Sequence, residues 1–279
     1  MIIDSHHHLW NYSALEYGWI GQSMGVLKAD YTPRDFEKTA SAIGVGAGIA
    51  VQARQTIEET EWLLGLADKN PFIAGVVGWL PLASLELASL LGRFAANPKL
   101  RGVRHVVQDE PDDGFILRPD FNAGIDRILP FGLVYDILVF ERHLPQTIRF
   151  VDRHPGQRFV LDHCAKPAIA SGSVAAWREN VRELAKRPNV ACKISGLVTE
   201  ADPSKDLKSQ CGPVIETVLE AFGPGRCMFG SDWPVCLTVC GYEDWYKIVD
   251  SFALGLSASD RASIFGGTAE KIYGLRRNP

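Results

Sequence analysis

The chain opens Met1-Ile2-Ile3-Asp4-Ser5-His6-His7-His8-Leu9-Trp10, and three of its seven histidines fall in this stretch. If Ile2 to His8 is a strand, side chains alternate, so Asp4, His6 and His8 share one face while Ser5 and His7 share the other. Two neighbouring imidazoles can ligate a transition metal or hold a substrate oxygen by hydrogen bonds. A remnant affinity tag also supplies terminal histidines, but three are few for a tag and an apolar, strand-like run precedes them. HxH alone is a weak motif. Its meaning depends on what the rest of the fold brings to it.

Apolar, β-branched runs recur along the chain with helix-like stretches between them. Besides Ile2 to His8 they are Gly46 to Gln52, Phe72 to Leu80, Leu100 to Val107, Leu133 to Val139, Phe159 to Cys164, Val190 to Ser195 and Cys227 to Ser231. The runs are continuous rather than alternating, as parallel strands buried on both faces require. Their starts lie 26 to 44 residues apart, and a strand, a helix and two loops need about 30. The intervening helices are expected at Thr32 onward, Thr56 to Asn70, Ser84 to Ala96, Pro119 to Leu129, Leu144 to His154, Val174 to Lys186, Pro213 to Phe222, Tyr242 to Phe252 and Ser259 to Tyr273. This pattern predicts a TIM-type (β/α)8 barrel in a single α/β domain over residues 1–279. A doubly wound sheet would show a glycine-rich phosphate turn after an early strand, where this chain has histidines. The long first connection, Leu9 to Val45, is a candidate lid or specificity element.

In such a barrel the site is built at the C-terminal ends of the strands. Those ends offer His6 and His8, Gln52 and Arg54, Trp79, Arg104 and His105, Asp136, His163 and Lys166, Lys193 and Ser195, and Asp232 with Trp233. An ordinary core has no use for so many polar groups at one rim. Plainer roles exist for some of them. Arg54, Lys166 and Lys193 could be ion-pair partners, Asp4 could anchor the barrel below His6, and His7 is turned away from the interior. His143 and His154 read as surface residues on a helix, and Cys164 as inert core.

The segments DSHHHLW, YGWIGQSMGVL, GIAVQAR, VVGWL, VYDILVFERHLP, LDHCAKP, CKISGLVTEAD and MFGSDWPVC carry a resemblance that covers essentially the whole chain. The chain resembles the amidohydrolase superfamily, and within it the sugar-acid lactonases. That resemblance implies a hydrolase opening L-fuconolactone or a similar aldonolactone to the aldonic acid. It implies catalytic roles for Asp232, as general base and then acid, and for His163, His6 and His8. Gln52, Trp79, Arg104, His105, Asp136, Lys193 and Trp233 are then the substrate-binding candidates. Members with two metals take a bridging lysine or glutamate from strand four and a histidine from strand five. Here those strands bring Arg104-His105 and Asp136, so a two-metal centre is not expected. Two arrangements stay open: one divalent metal, zinc by its donor set, on His6, His8, His163 and Asp232, or a metal-independent site. The rival chemistry is metal-dependent decarboxylation or hydrolysis of an aromatic carboxylic acid, with Arg54 and Arg104 as a carboxylate clamp beside Trp79.

Composition narrows the partners. Apolar residues make up 46% and charged residues 22%, which fits a globular enzyme and argues against disorder. With 29 basic and 33 acidic residues and a net charge of -4, there is no basic stripe for nucleic acid. No apolar run approaches the roughly 20 residues of a membrane span, and no signal-like segment opens the chain, so a cytoplasmic protein is expected. Six cysteines without a secretory signal read as reduced. Cys236 and Cys240 lack the further pair that a structural zinc needs. The expected partner is a small sugar lactone, with no membrane; a homo-oligomer stays open.

Overall fold

A computed structural model describes residues 1–275. Eight parallel strands form one sheet in sequence order: β1 (Ile2–His7), β2 (Val45–Val51), β3 (Ile73–Gly78), β4 (Leu100–Val106), β5 (Val134–Leu138), β6 (Phe159–Leu161), β7 (Val190–Ile194) and β8 (Cys227–Phe229). The predicted (β/α)8 barrel is the observed fold, and every predicted strand is present. The sheet curls until β1 meets the segment following β8. There Asp232 N–H donates to His6 O at 2.8 Å and His8 N–H to Trp233 O at 2.6 Å. Ser5 Oγ adds a bond to Phe229 O at 2.6 Å.

The helices outside are α1 (Pro33–Ser41), α2 (Ile57–Lys69), α3 (Leu87–Phe94), α4 (Pro119–Ile128), α5 (Leu144–Arg153), α6 (Ala175–Ala185), α7 (Leu207–Phe222), α8 (Tyr242–Ala253), α9 (Ala258–Ala262) and α10 (Thr268–Tyr273). Local chemistry sets their starts. Thr32 and Asp35 form a capping box ahead of Pro33, and Thr56 accepts from Glu59 N–H. Two expectations shift. Helix α7 begins before Pro213, capped by Asp206, so that proline sits inside the helix instead of opening it. The single helix expected over Ser259 to Tyr273 is broken by a π-type turn at Ser263–Gly267. A side chain at Gly266 would meet Met1 O at 2.3 Å, so the turn depends on the glycine.

The outer core lies between strands and helices and gathers residues such as Phe36, Leu63, Phe121, Phe150, Trp177 and Trp245. A second apolar cluster fills the lower barrel: Ile3, Ile49, Val77, Val134, Val160, Ala191 and Met228, with Ala269 and Tyr273 of α10 packed among them. Ile3 therefore points inward, and the strand slips phase between Asp4 and His7. Asp4 consequently faces outward. One of its oxygens accepts from His6 N–H (3.0 Å) and Ser231 N–H (2.9 Å), the other from Tyr242 OH of α8 (3.0 Å). The expectation that Asp4 shares a face with His6 and His8 fails, because a bulge inserts one residue into the alternation. Its anchoring role holds. His7 also faces outward, stacked on Phe36 with ring centroids 3.6 Å apart.

The long first connection packs on itself. Trp10 pairs with Tyr31 through N–H bonds of 3.1 and 2.8 Å and gathers Tyr17, Ile20 and Leu27. Arg54 pins this loop to the barrel, bonding Glu16 and Glu59 at 2.7 Å each and lying 5.0 Å from the Tyr17 ring. His143 and His154 are buried, against the surface placement read from their helix. Each bridges elements, His143 to Asp113 (2.9 Å) and His154 to Asp126 (2.8 Å) and Asn122 (2.9 Å). No helix among the described residues is long and apolar enough to cross a membrane.

The His7–Phe36 stack leaves no space over β2. A Cβ at Gly48 would lie 2.5 Å from Phe36 and 2.7 Å from His7, both rings fully buried. Gly48→Ala is expected to cost about 1–3 kcal/mol, read as a lower urea midpoint at unchanged slope; an unshifted midpoint would refute this account of the packing.

Candidate active site

At the upper rim the closing seam places four groups together. His6 comes from β1, His8 from the residue just past its end, Asp232 from the segment after β8, and His163 from the turn after β6. His6 Nε2 and His8 Nε2 are 3.2 Å apart. Asp232 Oδ1 lies 3.2 Å from His8 Nε2, 3.7 Å from His6 Nε2 and 3.9 Å from His163 Nε2.

The far sides of the rings decide what those converging atoms are. His8 Nδ1 is 2.8 Å from Val51 O, and a carbonyl only accepts, so Nδ1 carries the hydrogen, the tautomer that presents a lone pair at Nε2. Arg104 Nη1 lies 3.3 Å from His6 Nε2, and a guanidinium only donates, so that nitrogen too carries a lone pair. His6 Nδ1–H then faces Asp162 Oδ1 at 3.4 Å, an electrostatic contact more than an aligned hydrogen bond. His163 Nδ1 is 2.8 Å from Ser195 Oγ. Two lone pairs 3.2 Å apart repel unless a cation, either a proton or a metal ion, lies between them. Imidazoles oriented through their other nitrogen, together with a carboxylate, suit zinc. The ligating atoms of His6, His8 and Asp232 all lie within 4.8 Å of one another.

Burial keeps His163 and His6 neutral. It lowers His163 to about 4 even though Asp232 opposes the shift, and holds His6 well below its ordinary value. Burial works against Asp232 as an anion, yet His163, His8 and His6 outweigh it and hold the carboxyl far below the usual range. Strain is concentrated in the same place. All non-glycine residues with left-handed backbone among those described are His163, Cys164, Ala165, Lys166 and Asp232, each at a cost of about 1–2 kcal/mol. Trp177 Nε1 braces the turn by donating to Cys164 O at 2.7 Å, and Lys166 N–H closes it onto His163 O at 2.8 Å. Gly196 makes room, since a Cβ there would lie 2.4 Å from His163 Nδ1.

The seven expected substrate contacts divide. Asp136 and Lys193 do not reach the mouth: both are fully buried and paired with each other, and Tyr273 OH rises from α10 to bond both Asp136 oxygens at 2.8 Å. Lys193 also lies 3.0 Å from Asp162 Oδ1, and Arg104 Nη1 3.0 Å from Oδ2, so this ionic layer supports His6 from beneath. Trp233 turns away, buried between Tyr31 and Phe36, and reaches the seam only through its backbone. His105 has both nitrogens engaged, Nδ1 accepting from Trp79 Nε1 (3.2 Å) and Nε2 bonding Glu110 (2.7 Å); it orients Trp79 and offers no free ring atom. Gln52 is buried: its backbone carbonyl accepts from Arg104 at 2.5 Å, and its side-chain amide N–H makes a long 3.5 Å contact to Arg104 O. Arg104 is itself almost covered, with a side-chain exposure of 4%. Of the seven, Trp79 and His105 are the two that are not fully buried, and His105 is engaged at both ring nitrogens. Asp162 was not singled out in the sequence, although alternation from the inward Val160 marks it as interior.

A model of the amidohydrolase family matches residues 3–275. The chain belongs to the amidohydrolase family. Within that family it is 45% identical to an L-fucono-1,5-lactonase of Burkholderia multivorans over 98% of this chain and 96% of the relative. It is 39% identical to an L-fucono-1,5-lactonase of Burkholderia ambifaria over 99% and 96%. A crystal structure of an amidohydrolase from Burkholderia multivorans with bound zinc superposes with a TM-score of 0.95 at 44% identity, covering 99% of this chain and all of the other.

Because His163 is neutral when folded, an unfolded chain takes up a proton there that the folded one refuses between pH 6.5 and about 4. Its contribution to stability is complete above that window and is lost as pH falls through it. His163→Gln should therefore flatten the acid side of melting temperature against pH; an unchanged slope would show that other groups govern it.

Proposed function

We propose that this amidohydrolase opens the ring of a sugar-acid lactone, L-fucono-1,5-lactone or a close aldonolactone, to the free acid. The observation that carries this reading is the near-complete alignment, at 45% and 39% identity, with two L-fucono-1,5-lactonases. The convergence of Asp232 with His6, His8 and His163 supports it.

Asp232 is ionised and faces the three imidazoles, so it is placed to accept a proton from the attacking water. The hydroxyl adds to the carbonyl carbon, and the proton held on Asp232 passes to the ring oxygen as the carbon–oxygen bond breaks. Water is consumed, and a hydroxy acid is released. A carboxylate that is hard to protonate becomes, once protonated, a strong acid toward that departing alkoxide. His6 and His8 turn lone pairs toward the site, so their part is to hold a cation there and not to donate to the carbonyl oxygen. His6, His8, His163 and Asp232 would hold one zinc ion, and when bound it supplies Lewis-acid polarisation of the carbonyl; the zinc-bound relative supports this reading. Trp79 provides an apolar wall for the sugar ring. Arg104 and Asp162 brace His6 from below. The free cysteines suit a cytoplasmic enzyme of carbohydrate breakdown.

The aromatic-acid alternative needs a carboxylate clamp. Arg54 is spent on Glu16 and Glu59, and Arg104 on Asp162 and the Gln52 carbonyl, so neither is available for one.

Acid release from L-fucono-, L-galactono-, D-arabino- and L-rhamnono-lactones, with zinc content measured before and after chelation, tests the reading. Asp232→Asn is expected to lower kcat about a hundredfold or more with the melting temperature retained. No acid from any of these lactones would overturn it.

A further inference from the structure

Most charged groups around the mouth are already engaged by neighbours, as Arg54, Arg104, Lys193 and His105 are. Lys166 and Glu200 are not. Lys166 ends the left-handed turn that His163 begins. In a turn with three residues per revolution, positions i and i+3 lie on one side, so the lysine leaves the backbone on the same side as the imidazole. Lys166 is half-buried, forms no ion pair among the described residues, and holds its ammonium 5.5 Å from the Phe140 ring. Glu200 closes the short turn Val198–Glu200 after β7, and its carbonyl accepts from Ala170 N–H at 2.9 Å, which ties its loop to the one following Lys166. Its half-buried carboxyl receives only a long 3.5 Å contact from Thr199 Oγ. Burial raises the Glu200 carboxyl above its usual range; Lys166 and the Thr199 hydroxyl oppose the rise, and Asp232 and Glu141 add to it, so Glu200 lies within electrostatic reach of Lys166, Asp232 and Glu141.

A cation and a carboxylate that share a rim without pairing leave a gap whose chemistry is specific. A dicarboxylate would be repelled by Glu200 and Asp232 together. A bare apolar ring would desolvate both charges and satisfy neither. A ring bearing adjacent hydroxyls meets both demands, because each hydroxyl donates and accepts. The side chains first expected to contact substrate are largely buried or saturated, so the hydroxyls need partners from elsewhere on the rim.

We propose that Lys166 and Glu200 form the hydroxyl-reading subsite of the pocket, the ammonium donating to one ring hydroxyl and the carboxylate accepting from a neighbouring one. This assignment rests on the lactonase reading above. It makes the two residues determinants of substrate choice, acting on binding and leaving the chemical step to Asp232.

Steady-state kinetics of the intact chain and of Lys166→Met, Lys166→Arg and Glu200→Gln, on L-fuconolactone and on hydroxyl-free δ-valerolactone, test it, with thermal melting as the check on folding. Lys166→Met and Glu200→Gln should each raise KM for the sugar lactone about tenfold or more, with kcat within about threefold. The preference for sugar lactone over δ-valerolactone should fall by a similar factor, and Lys166→Arg, which keeps a donor, should retain most of it. If Lys166→Met does not fold, the arginine and glutamine variants carry the comparison. An unchanged KM, equal losses on both lactones, or a loss confined to kcat would overturn the subsite while leaving the lactonase reading intact. A parent enzyme that opens neither lactone would overturn that reading and the subsite with it.

Discussion

The backbone bonds from Asp232 to His6 and from His8 to Trp233 close the barrel, and the same residues present their side chains to the site. Asp4 reinforces the seam from outside by holding the amides of His6 and Ser231. Closure and chemistry therefore share one set of contacts. The bulge that turns Asp4 outward also aims His6 and His8 inward, so a register slip of one residue would point the imidazoles at the helices. Gly230 keeps this approach tight, since a Cβ there would lie 2.9 Å from His6 Cβ.

Beneath the seam the barrel is not uniformly apolar. Tyr273, Asp136, Lys193, Asp162 and Arg104 form a buried chain of charge and hydrogen bonds from the lower plug to His6. Such a layer is a poor source of stability, because desolvating the ions offsets most of their attraction. Its use is orientation. Asp162, kept ionised against burial by Lys193, His6 and Arg104, faces the protonated nitrogen of His6 and leaves the other lone pair directed at Asp232.

Much of this was legible in the sequence. The continuous apolar runs announced all eight strands, and four of the polar residues at their ends, His6, His8, His163 and Asp232, converge at one rim. Composition and alternation could not anticipate the phase slip at Asp4, because a bulge leaves no residue signature in Ile-Ile-Asp-Ser. The left-handed turn at His163 was equally hidden, since His-Cys-Ala-Lys contains no glycine and is held by Trp177 of the following helix. Strand-end position also failed to separate groups that face the mouth from groups already satisfied. Asp136, Lys193 and His105 have the right chemistry, but their partners Tyr273, Asp162 and Glu110 are visible only in three dimensions.

The seam also sets an order of events during synthesis. Ser5 and Phe229, bonded across it, are 224 residues apart, so at cellular elongation rates the first strand emerges on the order of ten seconds or more before its partner exists. Until then β1 has an unpaired edge and its histidines lack their carboxylate. A chain released before β8 would retain most of the barrel and three of the four clustered side chains, yet leave the cluster without its carboxylate. The cluster in this architecture is thus complete only after the last strand has been made, and the nascent barrel carries an open edge through that interval.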